Sequence, residues 1–237
     1  MDDYIVKKVN NDISMYKIEM FINDLRNILF YGSKFCLKDV LKLLLPNITE
    51  DEYILFKKEL KDVIEVLRKD LDSYYKFDPA VTSVDEIILC YPGFFAIWVY
   101  RIAHIFIKLN KDIVARMLTE YAHSKTGIDI HPKADIKEGF FIDHGTSVVI
   151  GSTSIIGKNV RMYHGVTLGA ISLDNIDEVR DKKRHPTIGD NVTIYANATI
   201  LGGNVKIGDN SIIGSNVFLT KSVNENTKVK KIPDNIL

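Results

Sequence analysis

The chain has 237 residues, 46% hydrophobic and 26% charged, which suits a soluble globular protein of one or two domains and excludes disorder and a collagen-like fold. Lys plus Arg and Asp plus Glu number 31 each and are spread evenly, so no basic face announces nucleic acid as a partner. Cys36 and Cys90 form no CxxC and have no third partner, which argues against a disulfide framework or a structural zinc site and fits a reducing cytoplasm.

The opening MDDYIVKKVNND lacks the apolar run of a signal peptide. Ile18, Phe21, Ile22, Leu25, Ile28 and Leu29 recur at the three-and-four spacing of one helical face, and Gly32 can end that helix. Leu37 to Leu45 repeats the pattern up to Pro46. Thr49 with Glu52 makes a capping box ahead of a stripe at Phe56, Leu60, Val63, Leu67 and Leu71, so a long helix is expected to run until Asp78-Pro79. Ser83 with Glu86 is a second box, and Gly93 to about His123 reads as one or two further helices. Ile87 to Ile107 is the most apolar stretch, but Pro92-Gly93, Arg101 and His104 interrupt it, so a buried helix is expected and no membrane span.

Glycine usage then changes: Gly32 and Gly93 are the only two before position 127 and the other 12 lie between Gly127 and Gly214. The expected organisation is therefore a helical domain over 1–125, a second domain over 126–222 and a tail over 223–237. In the second domain the apolar period becomes six: Ile130, Ile136, Ile142 and Val148; Ile150, Ile156, Met162 and Leu168; Ile188, Ile194 and Ile200; Ile207, Ile213 and Leu219. Neither a strand repeating every two residues nor a helix repeating every 3.6 sustains that period. Three hexads make one triangular turn, and Gly and Asn after the aliphatic residue suit tight corners, so the fold class is α+β, a helical domain followed by a parallel β-helix of hexapeptide repeats with about five coils. Ala170 to Pro186 is polar and out of phase, and should leave the prism as a loop. A solenoid presents repeated faces, so such breaks are where a specific site can be built, and His144 sits at another of them.

Asp78-Pro79-Ala80, the stretch from Gly93-Phe94 to Tyr100-Arg101-Ile102-Ala103-His104, Asp129-Ile130-His131-Pro132, Asp143-His144, Val166-Thr167-Leu168-Gly169 and Arg184-His185-Pro186 together resemble serine O-acetyltransferases in type and order over roughly residues 70 to 222. The resemblance implies a left-handed β-helix and transfer of acetyl from acetyl-CoA, a co-substrate and not a resident cofactor, to the hydroxyl of L-serine. It also implies a homotrimer, with helical domains pairing two trimers into a hexamer, and a C-terminus that docks on O-acetylserine sulfhydrylase. Ending in Asn235-Ile236-Leu237, where many members end in Ile, departs from that last feature. Ser152 where Glu is common and the long stretch from Ala170 to Lys183 depart as well.

A serine hydroxyl attacks a thioester poorly near pH 7 unless a neutral imidazole removes its proton, and that imidazole needs an orienter. The family's dyad maps onto His144 and Asp129, 15 residues apart and so able to lie on adjacent coils. Asp78 and Asp143 map onto positions holding the ammonium and hydroxyl end, and Arg184 and His185 onto those holding the carboxylate, from a neighbouring subunit. The blander readings are an Asp-Pro helix stop for Asp78, a corner residue for Asp129, a solvent-facing turn for His144 and a solvated charge for Arg184. Gly169, Ala170, Ala196, Gly214 and Ser215 are candidates for backbone contact with acetyl-CoA, and Lys221, Lys228, Lys230 and Lys231 for its phosphates, though corner geometry and a solvated tail explain them equally. No H-x₄-H pair occurs among the six His, which disfavours the zinc of a γ-class carbonic anhydrase, so no metal is expected. His104, His123, His131 and His164 read as structural. An acetyltransferase for homoserine or a sugar, and a catalytically silent assembly partner of a sulfhydrylase, stay open as alternatives.

Overall fold

The computed structural model describes residues 13–171 and 182–230, in two compact units that divide at Glu50/Asp51. Expectations resting on Lys231, on the C-terminal Asn235-Ile236-Leu237 and on most of the 170–183 stretch lie outside the described residues.

The first unit carries helices α1 (Met15–Phe30) and α2 (Leu37–Lys42). The Ser14 hydroxyl accepts from the Lys17 N–H at 3.3 Å to start α1, and Ile18, Phe21, Ile22 and Leu25 form its buried stripe. Gly32, at φ +62°, reverses the chain after its end.

In the second unit α3 (Glu50–Phe77) buries Phe56, Leu60, Leu67 and Tyr74, and ends one residue before Asp78. Ser83 caps α4 (Val84–Cys90) by accepting from the Glu86 N–H at 3.1 Å, while the Glu86 carboxylate accepts from the Thr82 N–H at 2.8 Å. Pro92 opens α5 (Pro92–Lys108), most of whose residues are buried, and α6 (Asp112–Thr126) closes on Gly127 at φ +69°. Among the described residues no single helix is long and apolar enough to cross a membrane, and α4 and α5 meet at a 78° bend.

The remainder is a left-handed parallel β-helix. Sheet I is β1 (Asp129–Ile130), β4 (Val149–Ile150), β7 (Thr167–Gly169), β10 (Thr199–Leu201) and β13 (Phe218–Leu219). Sheet II is β2 (Asp135–Ile136), β5 (Ile155–Ile156), β8 (Thr187–Ile188) and β11 (Lys206–Ile207). Sheet III is β3 (Phe141–Ile142), β6 (Arg161–Met162), β9 (Thr193–Ile194), β12 (Ile212–Ile213) and β14 (Lys228–Val229). The hexad aliphatics point inward and are buried from Ile130 to Ile213. Asn159, Asn191, Asn210 and Asn226 all sit at φ +55° to +58° on one edge, their amides joined in a ladder at 3.2 to 3.3 Å. The prism continues past 222, because β14 pairs with β12 inside the segment expected as tail.

The registers are uneven. Ile130 pairs with Ile150, Ile150 with Leu168, Leu168 with Ile200 and Ile200 with Leu219. The large offset at Leu168–Ile200 is where the stretch between β7 and β8 leaves the prism, as its polar composition predicts.

Side chains of α3 and α5 cover the open end of the first coil. The Tyr100 hydroxyl donates to the Ala134 carbonyl at 2.6 Å, and Arg101 donates to the Ile136 and Lys137 carbonyls at 2.8 Å. The Asp70 carboxylate accepts from the Phe140 N–H at 2.9 Å and the Ser73 hydroxyl donates to the Gly139 carbonyl at 3.0 Å. Asp70 and Arg101 join in a two-point ion pair at 2.7 and 3.0 Å.

Candidate active site

Two edges of the prism hold the chemistry, and sheet I lies between them. On the edge between sheets III and I, the Tyr74 hydroxyl donates to the Ile142 carbonyl at 3.0 Å and accepts from the Ile142 N–H at 3.3 Å, fixing the residue before Asp143. Gly93 permits that docking, since a Cβ there would lie 2.2 Å from the Ile142 oxygen. The Asp143 N–H bonds to the Met162 carbonyl at 2.9 Å, and its carboxylate lies 3.8 Å from His144 Nε2. His144 itself has a left-handed backbone, φ +57°, and its side chain is 74% exposed. The His164 ring meets it edge-on with centroids 5.9 Å apart.

Asp78 stands at the end of α3, its N–H bonded to the Tyr74 carbonyl at 3.0 Å. Its Oδ1 accepts from the Ala80 N–H at 2.8 Å and its Oδ2 from the Tyr91 hydroxyl at 2.7 Å. Burial, then the Asp78 carboxylate, push the Tyr91 hydroxyl well above its usual pKa and keep it a donor. Tyr91 and Tyr163 each lie within electrostatic reach of both Asp78 and Asp143, so the two acids share one anionic pocket beside His144. Tyr163 stacks on Tyr195 of the next coil, centroids 5.1 Å apart.

On the edge between sheets I and II, His185 is buried against Gly151, where a Cβ would come within 2.1 Å of the imidazole. The Thr153 N–H donates to His185 Nδ1 at 3.1 Å, and the Thr153 hydroxyl oxygen accepts from the backbone N–H groups of Arg184 and His185 at 2.9 and 3.0 Å. Nδ1 is therefore an acceptor, and the neutral ring carries its proton on Nε2. Burial, then Arg184, bring the His185 pKa down to about 4. Arg184 donates through Nη2 to the Ser152 hydroxyl at 2.7 Å. His131 shares this edge; burial, then Arg116, lower its pKa to about 4, with Asp129 and Arg184 in electrostatic reach.

The predicted residues thus come together in two groups: Asp78, Asp143 and His144 on one edge, Arg184 and His185 on the other. Asp129 does not join His144 inside the protomer. It accepts from Arg116 at 3.2 Å and neighbours His131, on the side of Arg184. Arg116 also pairs with Glu120, so it spans both carboxylates of the Glu120, His123 and Asp129 group, whose potential metal-ligand atoms lie within 4.8 Å of one another. The candidates for acetyl-CoA divide in the same way. Ala196, Gly214 and Ser215 continue the His144 edge along the prism, while Gly169, Ala170 and Lys221 lie on the Arg184 edge. Tyr91, Thr153 and His164 escape sequence reading: the first two act through hydrogen bonds from outside any motif. The position of His164 above His144 requires a first coil of 20 residues, seen in the Ile142–Met162 register.

Comparison with known proteins decides the family. A model of the bacterial transferase hexapeptide (six repeats) matches residues 185–221. Serine acetyltransferase of Staphylococcus epidermidis is 43% identical over 175 residues, 74% of this chain and 79% of that protein. The chain belongs to the serine acetyltransferase family. The crystal structure of Entamoeba histolytica serine acetyltransferase 1 in complex with L-cysteine matches at 37% identity with a TM-score of 0.78, covering 90% of this chain and 86% of that one. A serine acetyltransferase of Synechococcus elongatus is 47% identical over 144 residues, 60% of this chain and 45% of that protein. The chain spans about half the length of the curated relatives it matches at 44% to 47% identity. The residues matched by the hexapeptide model run from His185 past Ala196, Gly214 and Ser215 to Lys221, and so touch both edges.

Proposed function

We propose that the protein transfers the acetyl group of acetyl-CoA to the hydroxyl of L-serine, giving O-acetyl-L-serine. The observation that carries this reading is the division of complementary polar groups between the two edges flanking sheet I. One edge offers carboxylates and an exposed imidazole, the other a guanidinium and a buried neutral His that carries its proton on Nε2. A zwitterionic amino acid with a hydroxyl needs both sets. In a cyclic trimer with sheet I facing the threefold axis, the His144 edge of one protomer meets the Arg184 edge of the next.

In this reading Asp78 and Asp143 hold the ammonium, and Arg184 with His185 hold the carboxylate. His144 takes the hydroxyl proton as the serine oxygen attacks the thioester carbon; the carbon–sulfur bond breaks, and the coenzyme A thiolate takes that proton from the imidazolium. Asp129 steadies the imidazolium, supplied from the Arg184 side. The pantetheine arm follows the His144 edge past Ala196 to Ser215, three coil spacings or roughly 14 Å along.

His144→Ala is expected to lower kcat by about 10² to 10⁴-fold with unchanged folding. Coenzyme A release is measured with L-serine, homoserine and a panel of sugars. Faster turnover with homoserine or a sugar would move the acceptor assignment, and wild-type turnover in the variant would remove His144 from the reaction.

A further inference from the structure

We propose that His164 is a positioning residue that holds the imidazole of the base His144 in its working orientation, a role that rests on the reading of His144 above. His144 needs such a support. Its left-handed backbone and 74% exposed side chain leave the ring few contacts within its own protomer, and Asp129 is assigned above to act on it only from a neighbouring one. A base that must meet a hydroxyl at hydrogen-bond distance loses rate when its ring samples other rotamers.

His164 is built to restrict that sampling. The Phe141–Arg161 and Ile142–Met162 pairs set a 20-residue offset between the first two coils, which puts residue 164 directly over residue 144. The rings meet at 66° with centroids 5.9 Å apart, within the range of favourable edge-to-face contacts. The contact stands on rigid backbone. The Asn197 N–H donates to the His164 carbonyl at 2.9 Å from the coil above, and the Gly165 N–H donates to the Thr146 carbonyl at 2.9 Å in the coil below. His164 is thus clamped on both sides while His144 projects from a turn. Its contribution is the planar ring, not a proton, and an aromatic hydrocarbon of similar shape should replace it.

The test compares His164→Ala and His164→Phe with wild type for kcat, KM for both substrates and thermal midpoint. His164→Ala should lose about 3- to 10-fold in kcat with both KM values within twofold, the size of one aromatic contact expressed as a rate. His164→Phe should stay within about twofold of wild type. Unchanged kcat in His164→Ala overturns the proposal, and so does a loss in His164→Phe equal to that in His164→Ala, which would indicate proton transfer by His164 instead. If His144→Ala keeps full activity, the assignment of the base fails; if His144→Ala is inactive while His164→Ala is normal, only the positioning role fails.

Discussion

Tyr91 leaves Asp78 one task. With Oδ1 on the Ala80 N–H and Oδ2 on the Tyr91 hydroxyl, the carboxylate is pinned in plane, and only its remaining lone pairs can meet an incoming ammonium. Tyr91→Phe removes one of these two restraints while keeping the edge contact with Tyr74, whose ring centroid lies 5.7 Å away. The loss of a hydrogen bond worth about 1 kcal/mol should raise KM for L-serine about fivefold. KM for acetyl-CoA should stay constant, since Tyr91 lies on the acceptor side. Steady-state kinetics with each substrate varied in turn checks this, and an equal rise in both constants would show a general disturbance of the edge. Asp-Pro-Ala is legible in the sequence as a helix stop, and the structure shows it serving that purpose as well as carrying a candidate site carboxylate. The partner at Tyr91 is not legible, because a hydroxyl reaching across 13 residues leaves no periodic trace.

At the scale of elements, the hexads were readable because a period of six has no competing helical or strand explanation, and the helix caps because Ser83 and Glu86 satisfy backbone groups locally. Coil length was not. A separation of 15 residues looks like almost one turn when the turn is taken as 18, but the first coil has 20, so Val149 and not a neighbour of His144 pairs with Asp129. The way the helices seal the prism was equally hidden, because Asp70, Tyr74 and Arg101 read as ordinary residues of amphipathic helices. They satisfy the backbone groups that the first coil presents with no coil beneath it. Asp70 is fully buried, its carboxyl pushed up by burial and drawn back by Arg101. Asp70→Ala would leave the Arg101 guanidinium buried without its counter-charge and the Phe140 N–H without an acceptor. The expected loss is about 3 to 5 kcal/mol in urea unfolding, far above that of an exposed pair such as Lys42–Asp39.

At the scale of the whole molecule, the proposed division of the site would make activity a property of an assembly. On the outer face of sheet I, Val149 is 38% and Phe218 66% exposed, two apolar side chains suited to burial between protomers. Both functional edges border this sheet, so a cyclic arrangement that buries it presents each His144 edge to the Arg184 edge of a neighbour. A chain lacking His144 still carries an intact Arg184 edge, and a chain lacking Arg184 still carries an intact His144 edge. Mixing the two inactive variants under conditions of subunit exchange should therefore restore activity. For random trimers at equal input, each interface combines a functional His144 edge with a functional Arg184 edge about one time in four, so recovery should approach roughly a quarter of wild type. A double variant, His144→Ala with Arg184→Ala on one chain, mixed with wild type gives the complementary arm, because it spoils both interfaces of the chain that carries it. Mixed trimers verified by mass that regain no activity would place both edges in one protomer's own pocket and remove the shared site. Asp129→Asn mixed with each single variant then locates the acid. Recovery with the His144 variant and none with the Arg184 variant is expected, because Asp129 pairs with Arg116 and lies within electrostatic reach of His131, which Arg184 also reaches.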